Sequence, residues 1–258
     1  MKKTAIVLVT AAVGLVGGTA GAQERLGEGG QFVIGLDRSM GLSLESWTTT
    51  EDALGYDPDT GRTYTYTVDS TYSETHVGVL GSQHLVMGNV SSNALLPRFA
   101  LDVFLIDGLS LGASFMFVST TGEVDSESDD SGFTEDSGPE DPPSVQTLLV
   151  TPRLGYALGL AKVLALWPRA GVTYARLKRE DADGDTTKIT AIDLTLEGML
   201  AISPTTHFAL LVGPFADISL SGKSVREGED ATGDHRTAED DFSMTAFGLA
   251  AGVAGYFP

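Results

Sequence analysis

The chain has 258 residues, 16 of them basic and 35 acidic, a formal net charge of −19 and no cysteine. Such acidity excludes a nucleic-acid binder, since no basic patch is available to neutralise phosphates. The lack of cysteine excludes a disulfide framework, a thiol nucleophile and a thiolate metal site.

The first residues carry three signals in order: Lys2 and Lys3, an apolar stretch from Ala5 to Gly18, then Ala20-Gly21-Ala22 before Gln23. This spacing predicts a secretory signal peptide over 1–22, with the exported domain occupying 23–258. No later run of eighteen or more apolar residues occurs, so no transmembrane helix is expected.

Eight alternating runs follow: 31–48, 96–105, 109–121, 145–157, 163–177, 188–202, 206–220 and 242–257. Each reaches the roughly 9–11 residues that a tilted membrane-crossing strand needs. The clearest hairpin is FALDVFLIDGLSLGASFMF (99–117), in which Asp107-Gly108 separates two period-two runs. The connections alternate in length. Asp107-Gly108, the residues around Leu158 to Lys162, and Ser203-Pro204-Thr205 are short; 49–95, 122–144, 178–187 and 221–241 are long. A soluble sandwich has no reason to sort its loops this way. The pattern predicts an all-β, eight-stranded, antiparallel up-and-down transmembrane β-barrel with both termini at the short-turn end. Segments 63–68 and 74–80 alternate too. Their shortness favours a hairpin extending the barrel above the membrane, with a ten-stranded barrel as the alternative.

Charge is sorted along with length. Of the 35 acidic residues, 26 lie in the four long loops, nine of them in EVDSESDDSGFTEDSGPEDPPS with no base. These loops are expected to be solvated and external.

The residues alternating with the apolar ones are mostly small, with single charges among them, as an eight-stranded lumen filled by its own side chains requires. The repeats LPRFA, TPRLG and WPRAG aim Arg98, Arg153 and Arg169 inward, together with Asp37, Glu45, Asp102, Asp193, Glu197 and Asp217. Three guanidiniums and six carboxylates are expected to form an ion network that plugs the lumen. The excess of three carboxylates would favour cations if anything passed. Arg38 falls on the lipid face of the first run, so either it snorkels or a bulge shifts the register. Phe32, Tyr156, Phe208 and Phe257 at the turn end, with Phe117 and Tyr174 toward the loops, suggest aromatic girdles.

The last run, FGLAAGVAGYFP, alternates up to Phe257, with Pro258 after it. It resembles the C-terminal signal by which outer-membrane barrels are recognised for assembly. With GQFVIGLDRSMGLSLES, TPRLGYAL, WPRAGVTYARL and HFALLVGPFADISLSG, it resembles exported outer-membrane β-barrel proteins of myxobacterial type. In architecture it is more distantly similar to the OmpA transmembrane domain and to OmpX. The resemblance covers most strands and none of the long loops. It implies an outer-membrane location in a Gram-negative bacterium, with outer-membrane lipid and the β-barrel assembly machinery as partners. It implies no active site and no cofactor.

The remaining chemistry is sparse. His76, His84 and His235 fall in long loops, and His207 opens a strand at the turn end. Ser73/His76 and Asp234/His235 are sequence neighbours without the converging geometry of a nucleophilic site, so no enzyme is expected. Asp181, Asp183 and Asp185 around Gly184 look like half a calcium loop, but Ile192 stands where the downstream Glu belongs. Weak divalent-cation binding at the acidic loops is the most this supports, with no dedicated metal site. The expected role is structural or surface interaction through those loops, including an extracellular ligand. A narrow cation-preferring pore is the alternative, and a lipid-modifying enzyme comes third.

Overall fold

The computed structural model describes residues 25–57, 62–79, 97–121, 144–181, 184–229 and 235–258. Ten strands form one antiparallel sheet: β1 (Phe32–Asp57), β2 (Arg62–Val79), β3 (Arg98–Ile106), β4 (Leu109–Thr121), β5 (Ser144–Tyr156), β6 (Leu158–Ala161), β7 (Leu164–Glu180), β8 (Thr186–Thr205), β9 (Phe208–Glu229) and β10 (His235–Phe257). Eight of them close a ring, β1-β3-β4-β5-β7-β8-β9-β10, sealed by β10 pairing with β1 from Phe32↔Phe257 to Thr50↔Asp241. Closure leaves no edge around the base of the wall. Each ring strand overlaps one of the eight alternating runs, but β1, β9 and β10 run on through 49–57, 221–229 and 235–241, which the sequence assigns to long loops.

The other two strands do not join the ring. β6 folds back on the start of β7. β2 lies along the outer part of β1, from Met40↔Val79 to Asp57↔Arg62. Segment 63–68 and residues 74–79 of the second segment are therefore one strand, whose hairpin partner is β1 itself. The ten-stranded barrel is excluded.

The Asp107-Gly108 turn joins β3 to β4 as the sequence requires. Gly108 supplies a φ of 82°, a conformation cheap only for glycine. A bulge at Leu105 accompanies it, since Phe104 pairs Ser110 but Ile106 pairs Leu109.

Burial along the wall is inside out. In β3, Arg98, Ala100, Asp102 and Phe104 are buried while Phe99, Leu101 and Leu105 are exposed. Phe115, Phe117, Leu154, Val172, Leu210 and Leu249 continue the apolar outer surface. Water-soluble sheets put charge outside, so a wall of this kind fits hydrocarbon surroundings.

Residues 25–31 close the floor at the short-turn end. Leu26 enters an apolar cluster with Phe104, Trp167 and Tyr256. The Gln31 amide accepts from the Gly27 and Glu28 N–H groups and donates to the Arg25 carbonyl. Gly108 N–H donates to the Gly27 carbonyl, and Gly29 N–H to Asp107. The Asp107-Gly108 hairpin thus also anchors the floor.

Candidate functional site

The barrel interior above that floor is a belt of charge. Sheet register explains why residues distant in sequence meet there. Asp102, Arg153, Asp217 and Glu45 fall on one row running around the wall, separated by Gly112, then Gly171 and Thr195, then Ala246. Arg169 opposes Glu197, and Asp37 opposes Arg98. All nine charged residues expected inside are at most 7% exposed.

Arg153 is the hub. Its Nε and Nη2 fork onto the Asp102 carboxylate at 3.0 and 2.5 Å, a bidentate geometry that is strong and specific. Its Nη1 donates to Asp37 and lies 3.6 Å from Glu197. Arg169 Nη1 approaches Asp37 at 3.3 Å, and its Nη2 lies 2.8 Å from Glu197 Oε2. The Arg169 guanidinium also rests on the Trp167 ring at 4.9 Å.

Of the two alternatives the sequence leaves for Arg38, the structure shows the bulge, which turns it inward. Leu36 pairs Val253 and Met40 pairs Ala251, so four steps along β1 face two along β10. This double bulge leaves the odd-numbered positions of β1 facing inward on either side of it. It places Arg38, at φ 52°, fully inside. Snorkelling is therefore excluded. Arg38 donates to Glu197 at 3.0 Å, forks onto Asp217 at 2.5 and 3.0 Å, and covers the Phe215 ring at 4.1 Å. The one available signal was an arginine on an otherwise apolar face.

Its arrival changes the charge balance. Arg38, Arg98, Arg153 and Arg169 now face Asp37, Asp102, Glu197 and Asp217, four against four. With Glu45 and Asp193 toward the loop end, the inner excess is six minus four, two carboxylates and not three. Arg98 is the loosest member, its Nη2 3.6 Å from Asp217. Glu45 accepts from Ser43 at 2.6 Å. A hydroxyl ladder, Thr151–Thr173–Thr195, ends on Asp217.

Glycines make room for these side chains. A Cβ at Gly112 would collide with the Asp102 carboxylate, and one at Gly155 would lie 2.6 Å from the Ser110 hydroxyl oxygen. Gly112→Val should therefore displace Asp102 from Arg153 and cost about 2–3 kcal/mol. The loss should register in denaturant titration with no change on the barrel's outside. Apolar clusters lie on both sides of the belt. The Phe104–Trp167–Tyr256 cluster lies below, and Ile189, Ala191, Phe242, Met116 and Leu149 lie toward the loops.

The other candidate residues are dispersed. His207 Nδ1 meets the Tyr256 carbonyl at 3.2 Å and its ring stacks on Phe257 at the turn end. His235 begins β10 at the opposite end. His84, Asp234 and the His76 side chain lie outside the described residues. Asp181 is ion-paired with Arg179 at 2.6 Å, and Asp183 is outside the described residues. No group of three or more potential metal-ligating side chains occurs among the described residues. Phe32, Tyr156 and Phe257 are exposed at the turn end, and Phe117 and Tyr174 toward the loops.

No protein-family model and no curated protein matches the sequence. Among solved structures, the outer membrane protein OprG from Pseudomonas aeruginosa matches over 92% of this chain and 99% of its own, at 14% identity and a TM-score of 0.50. The fold is that of an outer-membrane β-barrel. AlkL, solved in DMPC bilayers, matches over 94% of this chain and 97% of its own at 12% identity, with a TM-score of 0.40. The outer membrane protease OmpT from Escherichia coli covers 87% and 97% at 11% identity, with a TM-score of 0.39.

Proposed function

We propose that residues 1–22 export the chain, and that residues 23–258 insert into the outer membrane of a Gram-negative bacterium. The short turns face the periplasm, and the acidic loops face outward. The barrel acts as a closed scaffold that presents those loops for surface interaction. It is neither an open pore nor an enzyme. The observation that carries this reading is the inside-out wall around a charge-balanced belt. Apolar side chains face outward where lipid would solvate them, while four arginines and four carboxylates neutralise one another within. An eight-stranded interior is only wide enough for its own side chains. Assembly machinery and outer-membrane lipid are the partners this location requires, and weak divalent cations would accompany the loops.

Two measurements test it. Membrane fractionation with heat-modifiable gel migration should place the chain in the outer membrane as a folded barrel; a soluble periplasmic product would end the reading. In planar bilayers the purified protein should show no steady conductance. Steady cation-selective steps would replace the plug with the pore.

A further inference from the structure

Four of the cations that reach the protein's surface lie together on one part of the outer wall. On the outer wall of β7, β8 and β9, Tyr174 and Ile192 oppose each other, both exposed, where the apolar band ends. One step farther toward the loops, Arg176 opposes Thr190, which opposes Lys223. One step beyond that, Lys178 and Lys188 oppose each other directly. The next step is acidic: Glu180 opposes Thr186, which opposes Glu227. On β7–β9 the sequence of layers is hydrocarbon-facing side chains, then cations, then anions; on β10 both cation rows end on a carboxylate, since Asp241 opposes Lys223 and Glu239 opposes Val225, which opposes Lys188.

A directly opposed pair of like charges destabilises a sheet unless something else compensates. The partners present are Glu180 and Glu227 of the next layer and Glu239 of β10. Lys178 reaches Glu180 at 3.0 Å, Lys188 reaches Glu227 at 2.6 Å, and Lys223 pairs with Glu239. These bridges are at least a third exposed at their lysines, so each is weak and exchangeable. Arg176 is exposed and makes no ion pair among the described residues. In a chain of net charge −19, Arg176, Lys178, Lys188 and Lys223 outnumber the two carboxylates level with them, Asp241 and Glu239, and so favour a further anion at that height.

We propose that Arg176, Lys178, Lys188 and Lys223 form a binding site for the phosphate of an anionic lipid headgroup on the outer wall of β7–β9. The assignment rests on the barrel spanning a membrane with its loops outside. Lipid phosphates lie just beyond the hydrocarbon, level with these two cation rows. Guanidinium and ammonium groups bind them by charge-assisted hydrogen bonds stronger than the exposed bridges they would displace.

The test uses the folded full-length chain in detergent, diphosphoryl lipid A as probe, and native mass spectrometry as readout. Wild type should retain lipid A, less of it as salt is raised. Changing Arg176, Lys178, Lys188 and Lys223 together to Gln should weaken retention by about tenfold or more. Arg62→Gln with Lys162→Gln, charges removed away from the patch, should leave it unchanged. Equal retention by wild type and the quadruple variant would overturn the site, as would equal retention of dephosphorylated lipid. Complete displacement by millimolar inorganic phosphate would show a free-anion site and overturn the lipid assignment. Heat-modifiable migration of each sample separates these outcomes from failure of the barrel reading, which would abolish the shift.

Discussion

Replacing Arg153 with Met is expected to destabilise the folded barrel by about 3–5 kcal/mol, the usual cost of removing one partner from a buried ion network. Arg153 is 4% exposed and holds three carboxylates, Asp102 through a fork, Asp37 through Nη1, and Glu197 at 3.6 Å. Without it the buried Asp102 carboxylate loses its guanidinium fork. Asp37 keeps Arg169, at 3.3 Å. Adding Asp102→Asn removes the stranded charge, so the double variant should recover more than half of the loss. Arg98→Met is the internal comparison, because the single contact of Arg98 to Asp217 is 3.6 Å long. It should cost about 1–2 kcal/mol. Urea unfolding from vesicles, read by heat-modifiable migration and the fluorescence of buried Trp167, gives the ranking. If Arg153→Met costs no more than Arg98→Met, the belt does not hold the barrel together.

Much of this architecture was legible because a barrel writes its geometry in period two. Loop length sorted the strands, and the inward parity of the three arginine repeats placed Arg98, Arg153 and Arg169. Parity counting fails wherever the chain gains a residue. At Arg38 it gains two, which leaves the flanking parity unchanged and so hides the bulge from the pattern on either side. Only the energetic oddity of an arginine facing lipid marks the place. The join of 63–68 with 74–79 into β2 was lost for a different reason. Ser70, Thr71 and Ser73 interrupt the hydrophobic alternation, although their backbone stays paired with Ser46, Thr48 and Thr49. The floor was illegible too. Residues 25–31 contain only one large apolar side chain, Leu26, and are ordered by the Gln31 amide and backbone bonds that no periodicity announces. The cation rows of β7–β9 escaped because their members lie on three strands and become neighbours only through register.

Changing Leu101 to Arg should cost about 2–4 kcal/mol of folding into bilayers, the price of a charge near the hydrocarbon midplane. Leu101 sits on the outer face of β3, between Ile34 of β1 and Ala113 of β4, and is 49% exposed. The same exposure in a water-soluble barrel would make the substitution nearly silent, within about 0.5 kcal/mol. The sign and size of the effect therefore read the solvent. Depth supplies a second criterion. Leu105, 55% exposed and next to the turn, lies close to the interface, where Leu105→Arg should cost only about 0–1 kcal/mol. A gradient from Leu101 to Leu105 is produced by a bilayer and by no aqueous surface. Two equally silent variants would mean that water covers this wall. The inward charges would then need another explanation, because a soluble protein gains nothing by burying four arginines while exposing its leucines.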